Sequence, residues 1–168
     1  VELEFNNYEE WLKQVPEQIT KDTLWRMQVY KVSLFLSDLC WFDVKRIIDK
    51  KKHWTLADQL YRATGSISAN IAEGYSRRSG IDRSRFLEYS LGSARESRDW
   101  YYKSRFLLSN KVVEHRLALL EEIIKILLSI IPDERKSSDT ISEPETQIER
   151  DHENNSFSPH LLEGIPFS

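Results

Sequence analysis

A single cysteine, Cys40, leaves this 168-residue chain without an internal disulfide, so its folded state must rest on packing. Cys40 lies in an apolar run, the setting of a buried structural thiol. Glycine and proline are scarce, five of each, so few turns are enforced by composition. No apolar run is long enough to span a bilayer, and nothing resembles a secretory leader; the expected location is the cytoplasm. The four histidines, His53, His115, His152 and His160, show no metal-ligand spacing. No phosphate-binding glycine loop and no Ser/His/Asp motif in context is present. These absences point away from an enzyme: no catalytic residue, no metal and no cofactor is expected.

What is present begins with charge. The formal net charge of −3 conceals an asymmetry. Residues 1–136 hold 23 Lys/Arg and 20 Asp/Glu, whereas residues 137–168 hold one Arg and seven acids. A mildly basic body therefore carries an acidic tail, and a pI of 5.9 does not exclude an anionic ligand.

Along the chain, residues 1–20 read as an extension with a short helix that lays Tyr8, Trp11 and Leu12 on the body and stops at Pro16. The first long helix starts near Lys21. Val29, Val32, Leu36 and Leu39 form one seam, and Tyr30, Leu34, Trp41, Val44 and Ile48 a second, which indicates burial on two sides. Asp43 has the position of a cap at a break or kink around residues 40–43. Lys50, Lys51 and Lys52 make a solvated connection. A second helix begins near Thr55, where Thr55 and Asp58 have capping-box spacing. Its seam is Leu56, Leu60, Ala63, Ile67, Ile71 and Gly74, a helical and not a strand period. Ser79 and Asp82 again have capping spacing, so a third helix starts at about 80–82 and runs through Ser109.

The fourth helix, over about 112–131, repeats Val113, Leu117, Leu120, Ile124, Leu127 and Ile131. A second seam, Leu119, Ile123, Ile126 and Ile130, follows one position behind. Together they cover about half the circumference or more, and the second seam is assigned to an interface with another copy; the alternative is a helix central to its own bundle. Pro132 ends that helix. Residues 132–168 then form the acidic, mostly disordered tail. Its last residues, PHLLEGIPFS, are apolar enough to dock on a partner or on the body itself, or else to form a loose end. The chain is thus one domain with an extension (1–20), a body (21–131) and a tail (132–168), large enough to bury a core unaided.

The organising stretch is 59–98, QLYRATGSISANIAEGYSRRSGIDRSRFLEYSLGSARESR. Gly65, Ser66, Ser68, Ala69 and Ala72 surround the second helix's seam, and Gly92, Ser93, Ala94 and Ser97 offer a matching surface on the third. Glycine and serine weaken helices, so their small size should gain close helix–helix approach. Within this stretch Gln59, Arg62, Ala63, Ser66, Ile67, Asn70, Ile71, Ala72, Glu73, Gly74 and Arg77 carry a family resemblance. So do Arg85, Phe86, Leu87, Leu91, Gly92, Ser93 and Glu96. The two segments resemble the signatures of proteins encoded in intervening sequences of 23S rRNA genes, a family related to the accessory variability determinants of diversity-generating retroelements. The resemblance covers roughly 25–131. It implies an all-α, antiparallel up-and-down four-helix bundle assembling into a ring-like homo-oligomer, a pentamer, with RNA or DNA and a reverse transcriptase as partners. No membrane is implied.

Asn70, Glu73, Gly74, Gly92, Ser93 and Glu96 are structural positions on this reading. Asn70 and Glu73 hydrogen-bond across the helix pair or cap a neighbouring helix end; a buried Glu73 carboxyl with a shifted pKa is the alternative. From Arg77 to Arg116 there are ten Lys/Arg and five Asp/Glu. Arg77, Arg78, Arg83 and Arg85 crowd the turn between the second and third helices, and Arg98, Tyr102 and Arg105 share a face suited to phosphates and stacked bases. Against this, Arg95, Asp99 and Lys103 are spaced to pair with each other. The expected function is a non-enzymatic oligomeric accessory protein that binds nucleic acid or a ribonucleoprotein partner. A protein-interaction scaffold without nucleic acid is the alternative.

Overall fold

The computed structural model describes residues 5–51, 53–137 and 157–167. The acidic stretch 138–156, with His152, and the side chains of Lys50, Lys51 and Lys52 lie outside the described residues. Among these residues every regular element is helical. Asn7 caps α1 (Tyr8–Leu12) by accepting from the Glu10 N–H, and Pro16 opens α2 (Glu17–Thr20). Tyr8 and Trp11 are buried against Phe35, and the Trp11 indole donates to Asp38 at 2.6 Å. A short 3-10 turn, Thr23–Arg26, leads into α3 (Gln28–Lys51).

Helix α3 starts later than its apolar pattern suggests, and it is continuous through residues 40–43. Asp43 caps nothing: its side chain is fully buried in an ion pair with Arg116. The first seam, Val29, Val32, Leu36 and Leu39, is buried. The second is only partly so, with Trp41 nearly half exposed. Helix α4 (Trp54–Tyr75) begins behind His53 without a side-chain cap, so Thr55 is inside the helix and not its start. Its seam is as expected, with Leu60, Ile67 and Ile71 fully enclosed. Each such side chain contributes roughly 2 kcal/mol relative to leaving it in water.

Ser79 caps α5 (Gly80–Lys103) by accepting from the Asp82 N–H. The helix stops at Lys103; a 3-10 turn, Ser104–Phe106, and a Ser109 cap separate it from α6 (Asn110–Lys136). Close approach of α4 and α5 is real but local. The Ser90 hydroxyl donates to the Ile67 carbonyl at 2.9 Å, and Ala94 and Ser97 are fully buried. A Cβ on Gly74 would lie 2.9 Å from the Phe86 Cβ. Gly65 and Gly92, by contrast, have nothing within 4 Å of a Cβ, so within the chain their size serves no contact.

Pro132 does not end α6, which continues for another turn to Lys136. The lost backbone bond is offset across the helix pair, where Glu134 meets Arg83 at 2.8 Å and Arg135 pairs with Glu88. The assignment of Leu119, Ile123, Ile126 and Ile130 to an interface between copies is also corrected. Leu119, Ile123 and Ile126 are buried within the single chain and Ile130 is half-buried, because both seams of α6 pack inward. The long helices pack in sequence, α3 on α4, α4 on α5 and α5 on α6, and α3 also meets α6. The C-terminal segment returns to this body: α7 (Pro159–Glu163) packs on α1 and α6, burying Phe157, Leu161 and Ile165.

Candidate nucleic-acid interface

The arginines around the α4–α5 turn separate by role. Arg83, in the first turn of α5, is committed inside the protein. Its Nε donates to Glu134 at 2.8 Å, one terminal nitrogen to the Arg77 and Arg78 carbonyls at 3.2 and 2.8 Å, and the other to Ser137 Oγ at 2.9 Å. Only 18% of its side chain is exposed. It clamps the turn to the end of α6, and the expectation of a phosphate contact is corrected. Arg77 pairs with Glu73 at 2.5 Å and lies over the Phe86 ring at 4.6 Å. Arg85 donates to the Tyr89 hydroxyl at 2.9 Å and remains exposed. Arg78 presents its side chain to solvent with no side-chain partner among the described residues.

The structural positions read from the sequence fare unevenly. Glu73 is exposed and answers Arg77 one turn on, while Asn70 donates to the Ser66 carbonyl in its own helix. Neither crosses the helix pair, and Glu73 is no buried carboxyl. Ser93 and Glu96 likewise bond within α5, to the Tyr89 carbonyl and from the Trp100 indole. Of the six residues only Gly74 sits at a tight helix–helix contact.

The second basic group spans the last turns of α5 and the 3-10 turn that follows. Arg98 is exposed and unpaired among the described residues. Arg105 is held between two rings, 3.9 Å from the Tyr102 centroid and 4.1 Å from that of Phe106, and donates to the Tyr102 carbonyl at 2.8 Å. Its guanidinium is therefore positioned without a neutralising carboxylate among the described residues. Phe106, 77% exposed, was not singled out by sequence, because the third helix was read through Ser109 whereas it ends at Lys103 and leaves Phe106 in the turn that follows. Beside them Lys103 pairs with Asp99, as the spacing suggests, and lies over Trp100; Arg95 stays free of that pair. A cation fixed between exposed rings can meet a phosphate while the rings offer faces to bases.

A second polar cluster, not read from the sequence, is enclosed. Arg116 binds Asp43 at 2.9 and 3.3 Å, and the Tyr101 hydroxyl donates to the same carboxylate at 3.0 Å. Burial raises the Tyr101 phenol well above its ordinary value and pushes the nearby Cys40 thiol up to about 12. His115 Nδ1 accepts from Arg116 at 2.8 Å, which leaves Nε2 to carry the proton and donate to the Leu161 carbonyl, also at 2.8 Å. Burial, and then the Arg116 charge, lower His115 to about 4. The unfolded chain takes up that proton near pH 6.5 and the folded one does not. Stability from this group is thus complete above pH 6.5 and is lost as pH falls toward 4, by up to about 3 kcal/mol. Urea midpoints across that range should fall with pH in the wild type and much less in His115→Gln.

No helix among the described residues is long and apolar enough to cross a membrane, and no group of His, Cys, Asp and Glu among them could hold a metal ion. Comparison with known proteins gives a match between residues 26–129 and the family described as 23S rRNA-intervening sequence protein. A crystal structure of a protein with unknown function from the S23 ribosomal protein family of Bacteroides thetaiotaomicron VPI-5482 is 27% identical, with a TM-score of 0.59. That alignment covers 61% of this chain and 97% of the other. Among curated proteins none matches.

Proposed function

We propose, for a chain that belongs to the family of 23S rRNA-intervening sequence proteins, a non-enzymatic accessory role in binding nucleic acid, alone or within a ribonucleoprotein. The observation that carries this reading is the Arg105 guanidinium, fixed between Tyr102 and Phe106 just past the end of α5, with Arg98, unpaired among the described residues, on α5 itself. Arg78 and Arg85 are available as further phosphate contacts. Single-stranded RNA fits best, since a stacking platform needs unpaired bases. The relationship to accessory variability determinants extends the reading to a reverse transcriptase as partner, in the cytoplasm. The four long helices would form an antiparallel up-and-down bundle, and copies would close into a ring, five by the same relationship. Support for self-association comes from Trp41, Trp54 and Tyr61, all large and exposed, and no longer from α6. A ring would repeat one weak cationic patch and gain through avidity.

Titration of the full-length protein with a fluorescent single-stranded RNA should show affinity falling steeply with salt. Arg105→Ala with Phe106→Ala should lower it by about tenfold, the loss of one stacked base. Arg83→Ala should destabilise the fold yet change affinity little in protein that remains folded. No binding at low salt, or binding indifferent to Arg98, Arg105 and Phe106, would favour the scaffold. The observation favouring that second reading is the same exposed set, Trp41, Trp54 and Tyr61, with Trp41 and Tyr61 rings 5.8 Å apart. Tryptophan and tyrosine are the residues that most often anchor protein interfaces. A lone subunit in light scattering at micromolar concentration would remove the ring.

A further inference from the structure

We infer that the face built by α1, α3 and α6 is a peptide-binding groove, and that residues 157–167 are its detachable resident ligand. The groove has a polar floor that exists without its occupant. Arg116 is fully buried and neutralised by Asp43, and His115 is oriented by Arg116. For the segment, His115 offers its one N–H and Arg116 a terminal N–H beyond those engaged by Asp43 and His115, and both go to backbone carbonyls: His115 to Leu161 at 2.8 Å, Arg116 to Pro166 at 3.1 Å. Donors aimed at main-chain oxygens recognise a peptide as such, and the side chains between them select its sequence.

Selection here is apolar. Phe157, Leu161 and Ile165 are buried, and Phe167 meets Phe5 and Phe42 edge-on with centroids 6.2 and 6.3 Å away, under the Arg116 guanidinium at 5.8 Å. Glu163, the segment's one acid, is exposed. The matching ligand class is therefore an uncharged apolar peptide with one helical turn followed by an Ile-Pro-aromatic end.

Several features make the occupant separable. Helix α7 has five residues and no side-chain cap, and no ion pair joins the segment to the body among the described residues. The long helices pack on one another independently of it. Its departure leaves the Arg116 charge still paired, so no buried charge is stranded. Nineteen residues lie between Ser137 and Phe157, a contour of up to roughly 65 Å, so the segment can leave and return without moving α6.

The test uses full-length protein and a fluorescein-labelled synthetic peptide of residues 157–167. Leu161→Asp should eject the chain's own segment, and the labelled peptide should then bind at least tenfold tighter than to wild type. A labelled peptide carrying the same Asp should not bind. Failure of the peptide to bind a folded Leu161→Asp protein, or equal binding to wild type, overturns the inference. Hydrogen exchange on the wild type decides independently of that variant's folding. Amides of 161–165 and Phe167 should exchange at least tenfold faster than those of Leu36, Ile67 and Leu120; exchange only through global unfolding would make the segment part of the core and sink the proposal.

Discussion

Replacing Asp43 by alanine is expected to remove about 4 kcal/mol of folding stability, the effect of leaving a buried guanidinium without its counter-charge. Arg116 and Asp43 are both fully buried, so water cannot take over the role of the missing carboxylate. The Tyr101 hydroxyl loses its acceptor in the same substitution, and the penalty of an unmet buried donor adds to it. Asp43→Leu combined with Arg116→Met should recover most of the loss, since a well-packed apolar pair can replace a buried ion pair. Chemical denaturation of the two single variants and the double gives the coupling directly. A loss under about 1 kcal/mol in Asp43→Ala would mean that the guanidinium reaches solvent, contrary to its enclosure here.

Gly80→Ala is expected to be nearly as damaging, at about 3 kcal/mol. A Cβ there would collide with the Ser137 hydroxyl and the Glu134 carbonyl oxygen and lie 2.7 Å from the Ser137 carbonyl oxygen. Two of those three atoms are backbone, so no rotamer change relieves the contact, and the start of α5 would be forced off the end of α6. The Arg83 clamp sits at that junction and would be stretched with it. Gly92→Ala is the internal control. Nothing lies within 4 Å of its Cβ, so the substitution should stabilise by roughly 0.5–1 kcal/mol through helix propensity alone. Thermal midpoints that move in opposite directions confirm the pair. A neutral Gly80→Ala would show that the α5–α6 junction is looser than described.

The contrast between these sites marks what a sequence can show. Seams such as Leu60, Ile67 and Ile71 repeat within a few turns, so their burial is legible locally. The Ser79 cap is similarly local and was readable, and the burial of Tyr8 and Trp11 was legible from their apolar rings although their contacts, Phe35 and Asp38, are distant in sequence. Asp43 was not, because an acid between apolar residues looks like a break until its partner 73 positions away is known. Arg83 failed for the same reason: its charge reads as surface, while Glu134 and Ser137 lie 51 and 54 positions on. Pro132 follows the rule of local propensity, and tertiary contacts override it. The double seam of α6 could not say whether Leu119 and Ile123 meet a second copy or this one, since periodicity counts apolar faces and not their neighbours. At the candidate interface the sequence located Arg98, Tyr102 and Arg105 but not Phe106, whose exposure depends on where α5 ends.

The enclosure of Cys40 gives the protein a built-in clock. A solitary sulfhydryl that is fully shielded and held far from its thiolate form should ignore maleimides and disulfide reagents at neutral pH for as long as the surrounding helices stay closed. Every alkylation event then records one opening of the α3 neighbourhood, and mass spectrometry can read opening frequency from unmodified protein without any added probe site.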